Sequence, residues 1–240
     1  MPELGAIFFD VDDTLYSTST FAARARRNAV EAMVAAGLDV SVDAGVAELA
    51  DVVREFSSNY GHHYDKLVLR LSRSLRPGVH PALIVAAGVI AYHRTKDEMA
   101  PFDDAEATLK ALSKSGILLG VISNGLTVKQ AEKLLRLHLE KYFESSAIFI
   151  SEEIGVAKPH PKIFLLACES VGVDPKNALY IGDNPKKDID SAHDAGLHTC
   201  WRKGSGKHAL GLEPEHADLV VDDLREMIPW LEEVFGVDCG

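Results

Sequence analysis

Short apolar segments alternate with helical segments from Pro101 onward, and this alternation restricts the possible folds more than any other feature of the sequence. Strands that alternate with helices are typical of βαβ units, in which helical crossovers join parallel strands. The predicted strands are Ile117 to Ser123, Ala147 to Ser151, Ala178 to Gly182, His198 to Trp201 and Leu219 to Val221. The predicted helices are Ala105 to Ser115, Val128 to Leu137, Lys162 to Val171, Asp190 to Ala195 and Leu224 to Phe235. The sequence therefore predicts an α/β fold with a parallel sheet flanked by helices.

A further strand, Ala6 to Phe9, lies far from the others in sequence, close to the N-terminus. The residues between Tyr16 and Pro101 show apolar positions at helical spacing, interrupted by Gly and Pro turns. We therefore expect an all-helical domain, residues 17–98, inserted into a core formed by residues 1–16 and 99–240. In this arrangement the first strand joins a sheet whose other strands follow the insertion.

Composition excludes several classes of protein. The formal net charge of -11 argues against nucleic acid binding through a basic face. No apolar stretch approaches the roughly 20 residues that span a bilayer, and the N-terminus lacks a basic segment followed by an apolar one. Three widely spaced cysteines suggest neither a disulfide framework nor a zinc site. We expect a cytoplasmic protein, monomeric or homodimeric, that binds no nucleic acid and no membrane.

Polar residues suited to phosphate chemistry follow several predicted strands. The first strand ends in Asp10-Val11-Asp12, and the second leads into Ser123-Asn124-Gly125. Lys158 follows the third, and Gly182-Asp183 ends the fourth, with Asp188 five residues farther along. In open parallel sheets, ligands bind at the carboxyl ends of the strands. Carboxylates are ligands that Mg²⁺ prefers, and a turn of backbone N–H groups can hold phosphate oxygens.

Each of these groups also has an interpretation without chemistry. The pair Asp10 and Asp12 also fits a strand end followed by a solvated turn or helix cap, and Ser123-Asn124-Gly125 is ordinary turn sequence. Asp183 and Asp188 also fit the start of a helix, where acidic side chains are stabilised. Lys158, which precedes Pro159, also fits an ordinary surface lysine. Their succession at four strand ends favours a common site.

The four motifs, in this order, resemble those of the haloacid dehalogenase superfamily of aspartate-nucleophile hydrolases. The similarity rests on Asp10-Val11-Asp12-Asp13-Thr14, Ser123, Lys158, and Gly182-Asp183 with Asp188, and it extends over nearly the whole chain. Members with a helical cap carry it between the first two motifs, where this chain has its helical insertion. The resemblance implies a Rossmann-like core, with residues 17–98 as the cap.

The resemblance also implies a reaction. Asp10 would attack phosphorus and form an aspartyl-phosphate, and Asp12 would act as general acid and then as general base. Mg²⁺ would be held by Asp10, the Asp12 backbone carbonyl and Asp183, with Asp188 supporting it. Substrate phosphate would contact Ser123, Asn124 and Lys158, with Lys158 also stabilising charge on the nucleophile. The expected enzyme is a Mg²⁺-dependent phosphatase.

Other activities of the same superfamily stay open. A dehalogenase needs no proton donor for its halide, so the presence of Asp12 favours a phosphatase. A phosphomutase and a noncatalytic phosphoryl-binding protein are further alternatives. A small phosphorylated metabolite is the expected substrate, since a closing cap encloses limited volume. Polar and aromatic residues at a turn of the insertion are candidate readers of the leaving group: Tyr60, His62, His63, Lys66 and Arg70.

Overall fold

The computed structural model describes residues 3–204 and 212–239. The chain divides into two compact units. One consists of Met1–Ser19 together with Ala100–Gly240, and the other is Thr20–Met99. The sequence predicts boundaries at residues 16 and 98, whereas the two units divide after residues 19 and 99.

The described part of the first unit contains a six-stranded parallel sheet with the order β3-β2-β1-β4-β5-β6. Its strands are β1 (Ala6–Phe9), β2 (Leu118–Ser123), β3 (Ile148–Ile150), β4 (Ala178–Gly182), β5 (His198–Arg202) and β6 (Leu219–Val221). Strand β1 is central, with Phe9 in register with Val121 on one side and Ile181 on the other. Strands β1 and β4 are buried at every position, as expected for a parallel sheet covered on both faces. The predicted α/β fold is confirmed.

The helices of this unit follow the strands in chain order. They are α5 (Asp103–Leu112), α6 (Thr127–Leu137), α7 (Ser151–Ile154), α8 (Lys162–Val171), α9 (Ser191–Asp194) and α10 (Met227–Phe235). One side of the sheet packs Phe8, Phe164 and Tyr180 into a continuous apolar core. The predicted helix from Asp190 is shorter than expected, because a π-helix, Pro185–Asp190, occupies the preceding residues. That π-helix carries Asp188.

The second unit contains helices, as the helical spacing of its apolar residues predicts. They are α1 (Thr18–Ala35), whose first two residues belong to the first unit, α2 (Val42–Phe56), α3 (His63–Arg70) and α4 (Pro81–Thr95). Met33, Leu49 and Ile84 lie in its buried core, which explains the helical spacing of its apolar residues. Ser41 begins α2 by accepting a hydrogen bond from the backbone N–H of Ala44.

The predicted leaving-group readers lie on the second unit. Tyr60 stacks on Phe56, with ring centroids 4.9 Å apart, and contacts the rings of His62 and His63. Lys66 lies over the Phe56 ring at 5.3 Å, and Arg70 forms ion pairs with Glu48 and Glu55. Their role in substrate selection stays a prediction. Within residues 3–204 and 212–239, none of the helices combines the length and apolar composition that crossing a bilayer requires.

Candidate active site

The polar residues predicted from the strand ends meet at the carboxyl edge of the sheet. Asp10 follows β1 directly, Ser123 is the last residue of β2, and Asp183 follows β4. Because β2, β1 and β4 are adjacent and parallel, their ends lie side by side. Lys158 reaches the same place from the segment between α7 and α8.

Three buried carboxylates form the centre of the site. Asp10, Asp183 and Asp188 each present an oxygen, and these oxygens lie within 4.8 Å of one another. The π-helix brings Asp188 back over the end of β4, where its Oδ2 accepts a 2.9 Å hydrogen bond from the Asn184 backbone N–H. Gly182 permits this approach, since a Cβ there would lie 2.5 Å from the Cβ of Asp188.

Lys158 places a single positive charge against this cluster. Its Nζ donates to Asp10 Oδ1 at 2.8 Å and to Asp188 Oδ1 at 2.7 Å. The side chain is only 3% exposed, so the attraction acts with little solvent screening. Burial disfavours the ammonium form, but the two carboxylates outweigh it and raise the pKa of Lys158 above its ordinary value.

The positive charge of one lysine does not balance the negative charges of three carboxylates. Burial, opposed by Lys158 and reinforced by repulsion from Asp188 and Asp12, raises the pKa of Asp10 to about 6. Burial, followed by repulsion from Asp188 and Asp10, raises the pKa of Asp183 to about 8. The cluster is therefore short of positive charge in the protein alone. Three oxygen ligands at this spacing fit a hard divalent cation such as Mg²⁺, and Asp10, Asp183 and Asp188 are the residues that could hold it.

The Asp12 side chain has a separate set of partners. Lys133 Nζ lies 2.6 Å from Oδ1 and 2.7 Å from Oδ2. Oδ1 also accepts hydrogen bonds from Tyr16 and Thr18, and Oδ2 accepts one from Gln130. Burial opposes ionisation of Asp12, but Lys133 and the hydrogen bonds outweigh it and lower its pKa. Asp10 and Asp12 therefore have pKa values shifted in opposite directions. The Asp12 side chain is not part of the carboxylate cluster, and the metal role of its backbone carbonyl stays a prediction.

The two residues predicted to bind phosphate differ in their contacts. Among the described residues, the buried Ser123 Oγ has no hydrogen-bond partner, so it is available to a ligand. The Asn124 side chain instead bonds the main chain of Lys158, through Nδ2 to its carbonyl at 2.8 Å and Oδ1 to its N–H at 2.9 Å. Any contact between Asn124 and phosphate would therefore be made by its backbone.

Sequence reasoning missed several residues of this site. Gln130 and Lys133, which contact Asp12, lie one turn apart on α6, and Tyr180, which contacts Lys158, lies within β4. The polar pair on α6 was the available signal, since that helix begins just beyond Ser123 and its polar residues at i and i+3 share a face. The sequence gives no such signal for Tyr180, because a tyrosine within a strand is expected to be an ordinary core residue.

Comparisons with known proteins agree with the family resemblance of the sequence motifs. The family model described as haloacid dehalogenase-like hydrolase matches residues 4–196. The chain is 42% identical to a glyceraldehyde 3-phosphate phosphatase of Pyrococcus furiosus, over 99% of this chain and 97% of that protein. It is 43% identical to the enzyme of the same name from Methanopyrus kandleri, over 95% and 97% respectively.

Solved structures share the fold at lower sequence identity. The crystal structure of a haloacid dehalogenase-type phosphatase from Thermococcus onnurineus has a TM-score of 0.67 at 21% identity, covering 99% of this chain and 100% of that one. The family model covers most of the chain, and the two relatives align along almost all of it. The chain therefore belongs to the haloacid dehalogenase-like hydrolases and, within them, to the phosphatases.

Proposed function

We propose that this protein is a Mg²⁺-dependent phosphatase of a small phosphorylated metabolite, with Asp10 as nucleophile. The observation that carries the proposal is the placement of Asp10 in a buried cluster with Asp183, Asp188 and Lys158, two residues before a second carboxylate with different partners. When bound, Mg²⁺ supplies positive charge that screens the nucleophile from the phosphate it attacks.

In the first step, a carboxylate oxygen of Asp10 forms a bond to phosphorus, and the bond between phosphorus and the ester oxygen breaks. The product is an aspartyl-phosphate on Asp10. Asp12 takes up a proton when the anionic phosphate ester is bound beside it, and gives that proton to the departing alkoxide. Lys158, which already donates to Asp10 Oδ1, keeps positive charge beside the reacting group.

In the second step, water attacks phosphorus and Asp12 accepts its proton, which restores the acid. The bond between phosphorus and the Asp10 oxygen breaks, so the carboxylate returns and inorganic phosphate leaves. Ser123 Oγ, which is buried and has no partner among the described residues, is the proposed donor to a nonbridging phosphate oxygen. The backbone N–H groups after Ser123 are proposed to act with it.

For the substrate we propose a triose phosphate, glyceraldehyde 3-phosphate in particular. The support is similarity: the two relatives described above carry this activity in their names and align over nearly the whole chain. The proposed test is a panel with and without Mg²⁺: glyceraldehyde 3-phosphate, phosphoglycolate, a sugar phosphate, a nucleoside monophosphate and a 2-haloacid. We expect Mg²⁺-dependent phosphate release, fastest with the triose phosphate, and no halide release.

The nucleophile is tested with Asp10→Asn. We expect turnover to fall by about a thousandfold or more, since the amide cannot form the intermediate. Asp43→Asn, the same chemical change at an exposed residue of the second unit, is the matched control. Rapid acid quench followed by mass spectrometry is expected to find phosphate on the peptide containing Asp10. Parent-like activity in Asp10→Asn would contradict the assignment.

A further inference from the structure

Tyr180 contacts the proposed catalytic lysine from inside the sheet. Its hydroxyl oxygen lies 2.6 Å from Lys158 Nζ and accepts a hydrogen bond from it. The same hydroxyl donates to the Ile122 carbonyl of β2 at 2.9 Å. Tyr180 is completely buried, and its ring packs edge-on against Phe164 with centroids 4.9 Å apart. The phenol is thus fixed at both its ring and its hydroxyl.

This contact completes the hydrogen bonding of the ammonium group. A lysine ammonium has three N–H donors, and Lys158 directs them to Asp10 Oδ1, Asp188 Oδ1 and the Tyr180 hydroxyl. The first two acceptors belong to the carboxylate cluster, whereas the third is neutral. The one proton of the phenol has the Ile122 carbonyl as its nearer acceptor, at 2.9 Å, and Asp188 Oδ1 as a more distant one, at 3.3 Å. With either acceptor a lone pair of Tyr180 faces the ammonium.

The other end of Lys158 is fixed as well. The Asn124 amide holds its backbone N–H and carbonyl by two hydrogen bonds. Between these anchors lies a long side chain with several rotatable bonds, and such a chain reaches more than one position unless its end is held. A buried ammonium lacking one acceptor would also carry a desolvation cost.

We infer that Tyr180 is a positioning residue, whose hydroxyl holds the Lys158 ammonium where it bridges Asp10 and Asp188. This inference rests on the proposed function, since it assigns Lys158 its geometry for the reaction. Because Tyr180 is completely buried, we assign its effect to Lys158 and not to contact with the substrate. It therefore affects the charge beside the reacting carboxylate and leaves the binding of the phosphate ester largely unchanged.

The first experiment measures the holoenzyme with saturating Mg²⁺. In Tyr180→Phe, which keeps the ring, we expect kcat to fall roughly tenfold to hundredfold, as for loss of a hydrogen bond to a buried charge. We expect KM to stay within about twofold. The matched control is Tyr142→Phe, the same change at a partly exposed tyrosine of the same unit, which should leave both constants unchanged. Parent-like kcat in Tyr180→Phe overturns the inference.

A second control separates positioning from packing. Phe164→Leu removes the ring that packs against Tyr180 while keeping the phenol hydroxyl. We expect it to lower the unfolding midpoint more than Tyr180→Phe does, with a smaller loss of kcat. If the loss of kcat follows the loss of stability across the two variants, Tyr180 has only a structural role and the inference is wrong.

A spectroscopic readout tests the inference without any reaction. Nitrogen-15 spectra of the lysine ammonium groups in the metal-free parent should show a slowly exchanging signal that disappears in Lys158→Arg. Its proton exchange should accelerate at least tenfold in Tyr180→Phe. Rapid exchange in the parent overturns the inference even if Tyr180→Phe does not fold. If the parent hydrolyses no phosphate ester, the proposed function fails, and this measurement still decides whether Tyr180 holds Lys158.

Discussion

Lys133 holds both carboxylate oxygens of Asp12, with its Nζ 2.6 Å from one and 2.7 Å from the other. This ion pair joins α6 to the loop after β1. Together with three bonds from other side chains, the two from Lys133 make Asp12 the acceptor of five hydrogen bonds. A carboxylate with so many donors is stabilised in its ionised form. This is the protonation state that suits a general base, and a neighbouring aspartate, Asp10, has the opposite shift.

Replacing Lys133 with Met is expected to raise the pKa of Asp12. Burial raises this pKa, and without Lys133 only the hydrogen bonds from neutral side chains oppose that effect. Carbon-13 spectra of the aspartate carboxyls in the metal-free protein, recorded against pH, measure the change. The control is Lys129→Met, an exposed lysine on the same helix. An unchanged Asp12 titration would contradict the importance of the ion pair.

The same variant tests the pH dependence of stability. Because the folded-state pKa of Asp12 lies below its unfolded value of 3.8, the ion pair stabilises the protein above that pH and ceases to do so as the pH falls through the folded value. We expect Lys133→Met to lower the free energy of unfolding by about 1 kcal/mol at pH 7. Urea unfolding at several pH values should show this difference shrinking in acid.

Removal of divalent metal is expected to make the protein less stable as the pH rises. The folded-state pKa values of Asp10 and Asp183, about 6 and about 8, exceed the unfolded value of 3.8. Between pH 4 and 8 the folded state therefore holds more protons, and its stability decreases with increasing pH. Thermal unfolding with a chelator measures this trend.

Added Mg²⁺ should reverse that trend and release protons on binding, because its ligands must be ionised. Calorimetric titrations in two buffers of different ionisation enthalpy count the protons. Asp183→Asn is the comparison, and it should release fewer. A Mg²⁺ titration of the parent that releases no protons and adds no thermal stability would count against the carboxylate cluster as the metal site.

Ser123→Ala is expected to separate binding from stability. Its buried Oγ has no partner among the described residues, so removing it should change the free energy of unfolding by less than about 1 kcal/mol. The KM for a phosphate ester and the inhibition constant for inorganic phosphate should each rise roughly tenfold. Steady-state kinetics and urea unfolding measure the two effects. Unchanged phosphate inhibition would exclude Ser123 from the phosphate site.

Gly182→Ala is expected to displace Asp188. The added carbon would lie 2.5 Å from Asp188 Cβ and 2.6 Å from its Cγ, so the π-helix must move. We expect a loss of about 1–3 kcal/mol in unfolding free energy, as for overpacking, together with weaker Mg²⁺ binding. Gly61→Ala, where a Cβ meets no atom within 4 Å, is the control. Calorimetry with Mg²⁺ and urea unfolding test both effects, and parent-like values in both would show that the close approach is unimportant.

Much of the fold follows from local patterns in the sequence. The strand Ala178–Gly182 and the helix Lys162–Val171 have the predicted bounds, since a buried parallel strand and an amphipathic helix each have a distinctive spacing of apolar residues. The π-helix, Pro185–Asp190, does not follow from such a pattern. It depends on Asp188 reaching back to the Asn184 N–H and packing against Gly182, which hydrophobic periodicity does not encode.

The sequence by itself predicted the residues that are proposed to carry the chemistry, because aspartates, a serine and a lysine follow strands that a parallel sheet must bring to one edge. Only the tertiary structure decided their partners. Lys133 lies 121 positions from Asp12, and Lys158 lies 148 positions from Asp10. Contacts of that separation depend on the order of strands and the placement of helices. Burial raises the pKa of Asp10 against the opposing charge of Lys158, whereas at Asp12 burial is outweighed by Lys133 and the hydrogen bonds. The opposite shifts therefore depend on how the fold buries and surrounds each carboxylate.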